Sequence, residues 1–86
     1  MEPAPPFWFR QRQGQLEPAG ENTYLVKAPN METMFVLIRP AADGGWQGAL
    51  RRQPDGADVA ATVRSYPNRL DAWNAAFELL RVQVVV

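Results

Sequence analysis

The chain has 86 residues, nine of them basic and nine acidic, for a formal net charge of zero. It contains no His and no Cys, which removes the imidazole base, the thiolate nucleophile and the soft metal ligands behind most chemistry near neutral pH. The length allows one small domain with no disulfide or Cys/His metal site to brace it, and the composition argues against an enzyme.

A hydrophobic fraction of 47% suits a globular domain and is too high for a disordered chain. The isoelectric point near 6.2 offers no global attraction to nucleic acid or to an anionic membrane. Eight of the nine cations are Arg and one is Lys27, a bias that GC-rich coding alone produces. Residues 1–6 are acidic and Pro-rich where a secretory segment would be basic and then apolar. They are expected to form a flexible tail ahead of a single domain over 7–86. No apolar run approaches the roughly 20 residues of a membrane span, so the expected setting is the cytoplasm, without membrane contact.

Prolines at 18, 29, 40, 54 and 67 cut the chain into intervals of ten to thirteen residues. Proline is excluded from central strands and helix interiors, so each interval holds one short element and its turn. Residues 7–13, Phe-Trp-Phe-Arg-Gln-Arg-Gln, read as a strand because aromatics favour one. Residues 23–28 read as a second short strand. Met34, Phe35, Val36, Leu37 and Ile38 form a nearly continuous apolar run, which predicts a strand at the centre of the sheet, covered on both faces.

Asp43-Gly44-Gly45 signals a turn into a strand over 46–52, where Trp46, Gly48 and Leu50 share one face and Gln47, Ala49 and Arg51 the other. Pro54-Asp55-Gly56 marks the next turn. A strand is then expected over 59–66, with Val59, Ala61 and Val63 on one side and Arg64 on the other.

After Pro67 the period changes. Leu70, Trp73, Phe77, Leu80 and Val84 recur at helical spacing, opposite a polar stripe of Asp71, Asn74, Glu78 and Arg81. Asn68 is a favourable N-cap, with Asp71 placed to complement the positive helix end. Ala72, Ala75 and Ala76 raise helix propensity and permit close approach to a sheet. The β-branched end, 82–86, predicts fraying near Arg81 or Val82 and an extended finish.

The predicted fold class is α+β: an antiparallel sheet of four to five short strands with one C-terminal α-helix on one face. Its expected core is Leu25, Phe35, Leu37, Trp46, Leu50, Val59, Val63, Leu70, Trp73, Phe77 and Leu80.

No constellation points to catalysis, a metal or a cofactor. The carboxylates show no catalytic spacing. Asp55-Gly56-Ala57-Asp58 lacks the alternating oxygen ligands of a calcium loop, and Gly44-Gly45 lacks the helix and Lys of a phosphate loop.

Two surfaces stand out. Phe7, Trp8 and Phe9 at one end, and Val84 and Val86 at the other, are apolar groups that one sheet face cannot all hide. They suggest a contact with a protein partner or self-association. Arg39, Arg51 and Arg64 come from three consecutive predicted strands and would share an open sheet face able to meet phosphates or base edges, against the plainer reading of a solvated face. Strands followed by a packing helix are similar in arrangement to small DNA-reading domains, such as the plant ethylene-response-factor domain and the arm-binding domains of phage integrases. No residue motif of either family is present. The expected function is a small non-catalytic protein-interaction or assembly module. The alternative is a nucleic-acid-binding module using the Arg-bearing face.

Overall fold

The apolar run after Thr33 becomes the middle strand of the sheet. A computed structural model of the chain describes residues 5–53 and 55–84, the side chain of Val84 excepted. Its elements are α1 (Phe7–Gln11), β1 (Gln15–Gly20), β2 (Thr23–Lys27), β3 (Met34–Pro40), β4 (Trp46–Arg51), β5 (Asp58–Ala61) and α2 (Arg69–Val84). The five strands pair antiparallel in chain order, with β3 at the centre. Every connection joins neighbours, and the expected α+β architecture stands.

Register decides which half of each strand meets the helix. Val36 lies opposite Leu50, Ile38 opposite Gly48 and Pro40 opposite Trp46. Side chains alternate along a strand, so Met34, Val36 and Ile38 turn to one face with Gly48 and Leu50. On that face α2 rests mainly over β3 and β4. The core unites Val26, Met34, Val36, Ile38 and Leu50 with Ala72, Trp73, Ala76, Phe77 and Leu80. The other parity, Phe35 and Leu37 with Leu25, points to the opposite face, so these three are not part of the core beneath α2. Trp46 and Val59 are half-buried against it.

The spacing of α2 and β4 is set by small residues. A Cβ added at Gly48 would sit 2.8 Å from the Ala76 Cβ, 3.0 Å from the Ala72 carbonyl oxygen and 3.1 Å from the Ala76 Cα. The helix begins as expected: the Asp71 amide donates to Asn68 Oδ1 at 2.9 Å, and Asn68 Nδ2 donates to Asp71 Oδ2 at 3.1 Å. Leu70, in the first turn, is 61% exposed, because Ala72 is the first helical residue to be buried. The helix continues through Val84 rather than fraying near Arg81, while Val85 and Val86 lie outside the described residues.

Three further expectations change. Residues 7–11 form a helical turn, not a strand. Turning the chain by about 100° per residue sends Phe9 fully inward, leaves Trp8 half-buried against the core and exposes Phe7. The alternation of a strand could not separate three adjacent aromatics in this way. The helix ends in a Schellman motif: Gly14 N–H donates to the Phe9 carbonyl at 2.9 Å and Gln13 N–H to Arg10 at 3.0 Å, with Gln13 at φ 58. A Cβ at Gly14 would fall 2.5 Å from the Phe9 ring, so the cap residue also makes room for the buried aromatic. Pro6, placed by expectation in a tail, is the N-cap of α1. Residues 1–4 of that tail lie outside the described residues.

Residues 15–20, divided by Pro18, form the edge strand β1, a place where proline is tolerated. Lastly, the strand expected over 59–66 ends at Ala61. Thr62 Oγ1 accepts the Gly48 amide at 3.2 Å in place of a backbone carbonyl. The chain then swings out, leaving Val63 fully exposed, and returns where Tyr66 and Trp46 exchange backbone bonds of 2.7 and 2.8 Å.

The Gly48 contact predicts a test. Gly48→Ala forces α2 off the sheet and should lose about 1–3 kcal/mol, the usual cost of overpacking. Phe77→Ala empties a fully buried site and should lose about 3–5 kcal/mol. Urea denaturation checks both; a neutral Gly48→Ala would show that the helix is not seated through this contact.

Candidate functional site

The face of the sheet turned away from α2 is the most distinctive surface of the molecule, and register composes it row by row. One row runs Glu17, Leu25, Phe35, Arg51, Asp58 across all five strands. The next runs Thr23, Leu37, Ala49, Ala61. A third places Arg39 opposite Gln47. The centre is thus apolar and the margins ionic. Leu37 and Ala49 are 7% and 0% exposed, hidden by their neighbours on the face, and Leu25 and Phe35 are half-exposed around them. Among the described residues no helix lies over this surface.

The ionic margin on β5 is a triad. Arg39 grips Asp58 with two bonds, Nη1 to Oδ1 at 3.3 Å and Nη2 to Oδ2 at 2.8 Å. Arg51 Nε donates to Asp58 Oδ1 at 2.8 Å. The Arg39 hydrogen bonds and then those of Arg51 hold the Asp58 carboxyl below its ordinary range. The three side chains keep 34, 25 and 26% of their area exposed, so water weakens the attraction well below that of a buried pair. At the far margin Lys27 pairs with Glu17 at 3.1 Å.

Arg39 and Arg51 therefore share the open face. Arg64 does not join them. It follows the end of β5, where its guanidinium lies 5.1 Å over the Tyr66 ring. There it lines a surface dent with Asp71, Asn74 and Glu78 of α2, because the outward swing after Thr62 breaks the strand alternation that would have aligned it. At the ends, Phe9 packs 5.7 Å from Phe77 and 5.6 Å from Trp8, Phe7 is 67% exposed and Val82 59%. The Val84 side chain and Val86 lie outside the described residues.

A second polar cluster joins the β3–β4 turn to the segment before α2. Asp43 accepts the Ser65 hydroxyl at 2.5 Å and the Gly45 amide at 2.9 Å, and these bonds, Ser65 first, hold its carboxyl below the usual range. Asp43 thereby ties the β3–β4 turn to the segment before α2.

Among the described residues no group of three or more acidic side chains converges to hold a metal ion, and no helix is long and apolar enough to cross a membrane. The sequence signal for this apolar face is Phe35 and Leu37, the second parity of the apolar run, which local pattern does not separate from the first. Comparison with protein-family models, curated proteins and solved structures finds no match for this chain.

The triad predicts an acid dependence. Asp58 titrates below its ordinary 3.8 in the folded chain. Its contribution is therefore complete above that value and lost as pH falls through the lower folded value. Asp58→Asn should cost about 1 kcal/mol or less at neutral pH. Its melting temperature should converge with that of the unaltered chain as pH falls below 3.8 and through the lower folded value. Melting curves that stay parallel down to pH 2 would show that the ion pairs contribute nothing.

Proposed function

We propose that this chain is a small non-catalytic protein-interaction or assembly module that docks a protein surface on the open face of its sheet. The observation that carries the reading is the division of β3. Its apolar run is of the kind found in strands covered on both sides, and the described chain supplies helices for one side only. Leu25 and Phe35, half-exposed over the buried Leu37 and Ala49, then form an apolar centre within an ionic rim, the usual composition of a protein contact.

Two further features support a face-on contact. The sheet edges are blunted: β1 carries Pro18, and β5 is four residues long and ends where Thr62 diverts the ladder. Short, proline-bearing or interrupted edges resist strand addition. The cations of the face are also engaged within the chain, Arg39 and Arg51 by Asp58 and Lys27 by Glu17. With Arg64 on the helix side and zero formal charge overall, the field that draws in nucleic acid is weak.

The test combines Leu25→Gln and Phe35→Gln. Sedimentation equilibrium measures self-association of the parent chain and the double variant. A photo-crosslinking residue at position 47 reports any other protein seated on the face. Burying a fully exposed apolar side chain is worth about 1.5–3 kcal/mol, and Leu25 and Phe35, half-buried already, contribute a part of that each. The double variant should therefore weaken association by at least about tenfold while keeping its circular dichroism. A parent chain that stays monomeric and gives no crosslink sensitive to positions 25 and 35 would refute the reading.

A further inference from the structure

We infer that Arg39 and Arg51 form a cradle for a carboxylate of the docked partner, and that Asp58 is an internal stand-in which the partner's carboxylate displaces. The inference rests on the proposed docking face, which it deepens by naming the polar contact at the edge of the apolar centre.

The geometry is that of an oxyanion site already filled. Both Asp58 oxygens are held: the Arg39 fork spans the two, and Oδ1 also accepts from Arg51, at 2.8–3.3 Å. Arginine presents its donors in a rigid plane that matches a carboxylate in this way. The three members differ in how firmly the fold holds them. Arg39 and Arg51 stand on β3 and β4, inner strands with ladders on both sides. Asp58 is the first residue of β5, the short edge strand, and pairs with Arg51 across a register shift that lies between Leu50 and Arg51. Edge segments with few ladder bonds open at the lowest free energy. The cations are therefore fixed and the anion is the member able to leave.

Position adds to this. Arg51 lies directly opposite Phe35, so a carboxylate in the cradle sits beside the apolar centre. A partner seated on Leu25 and Phe35 would bring its acidic side chain to the cradle in the same approach. Two guanidiniums against one carboxylate leave the triad with a net charge of +1, which an incoming carboxylate neutralises while Asp58 turns to water. Until then, Asp58 keeps the two arginines from recruiting other anions, which makes it an autoinhibitory contact.

The experiment uses the full chain with Asp58→Asn, Asp58→Ala and the double variant Asp58→Asn/Arg39→Gln. Side-chain NMR follows the Arg39 and Arg51 Nε–H signals as sodium acetate is added. The parent chain should show no saturable shift. Asp58→Asn and Asp58→Ala should show one confined to these two arginines, with half-saturation at least tenfold lower than any response of the parent, and Arg39→Gln should abolish it. A second titration compares a polyglutamate peptide with a DNA oligonucleotide; the peptide should bind Asp58→Asn more tightly. Folded Asp58 variants that bind no acetate would overturn the inference, as would a shift that survives Arg39→Gln. Unfolding of both Asp58 variants would assign Asp58 to holding β5 in place and equally overturn it. Preference for the oligonucleotide would overturn the protein source of the carboxylate. None of these outcomes depends on positions 25 and 35, so failure of the cradle is distinct from failure of the docking face.

Discussion

The contact on which the rest of the structure depends is the close approach of α2 to β4, where Gly48 meets Ala72 and Ala76. With no side chain at 48 and only methyl groups at 72 and 76, the helix backbone settles onto the sheet. Phe77, Leu80 and Trp73 then reach the strands on either side and meet Met34, Val36, Ile38 and Leu50. Tyr24 packs edge-on against Trp73, ring centres 5.4 Å apart. Close packing of this kind leaves few voids for a chain that has no covalent brace. It also leaves part of the sheet beside α2 to be covered otherwise, and α1 meets that need by delivering Phe9 against Phe77.

Seating the helix on one parity of β3 assigns the other parity to the opposite face. Chemistry does not distinguish Phe35 and Leu37 from Val36 and Ile38. What separates them is the pleat, which alternates side chains with a period of two. Once Val36 is committed to the helix, Phe35 and Leu37 are committed to the open side, together with Leu25, Ala49, Arg51 and Asp58 through the strand register. The candidate docking surface is thus a consequence of how the core was filled, and its apolar centre is as firmly positioned as the core.

The polar groups follow a consistent economy. Cations of the open face meet carboxylates of the same face, and the exposed side of α2 carries Glu78 and Arg81, paired at 3.1 Å. Near the start of α2, Arg69 stacks 5.3 Å over Trp46 and donates to Asn22 Oδ1, using its planar guanidinium to bridge the helix start, β4 and the β1–β2 turn. The surplus of Arg over Lys thereby acquires structural uses in this fold, since a fork that binds two oxygens at once, or lies flat on a ring, is beyond an ammonium group.

The sequence by itself determined the features that rest on neighbours a few residues apart. Proline spacing set the strand intervals from β2 onward, Asn68 and Asp71 set the start of α2, and the i, i+3, i+4 pattern set its buried stripe around Trp73, Phe77 and Leu80. The central place of β3 was equally legible from its unbroken apolar run. Tertiary structure decided what local pattern cannot encode. A five-residue helix is shorter than any periodicity that could announce it, and α1 exists because Phe9 has a pocket beside Phe77 and Gly14, lacking a side chain, leaves space for the Phe9 ring. β1 was hidden because a proline is admissible only once a strand is known to lie at the edge. Arg64 parted from Arg39 and Arg51 because the Thr62 hydroxyl replaced a backbone partner and ended β5 early. Which parity of β3 faced the helix was also beyond local reading, since both are apolar, and that choice rests on Gly48 lying across from Ile38 and beneath Ala76.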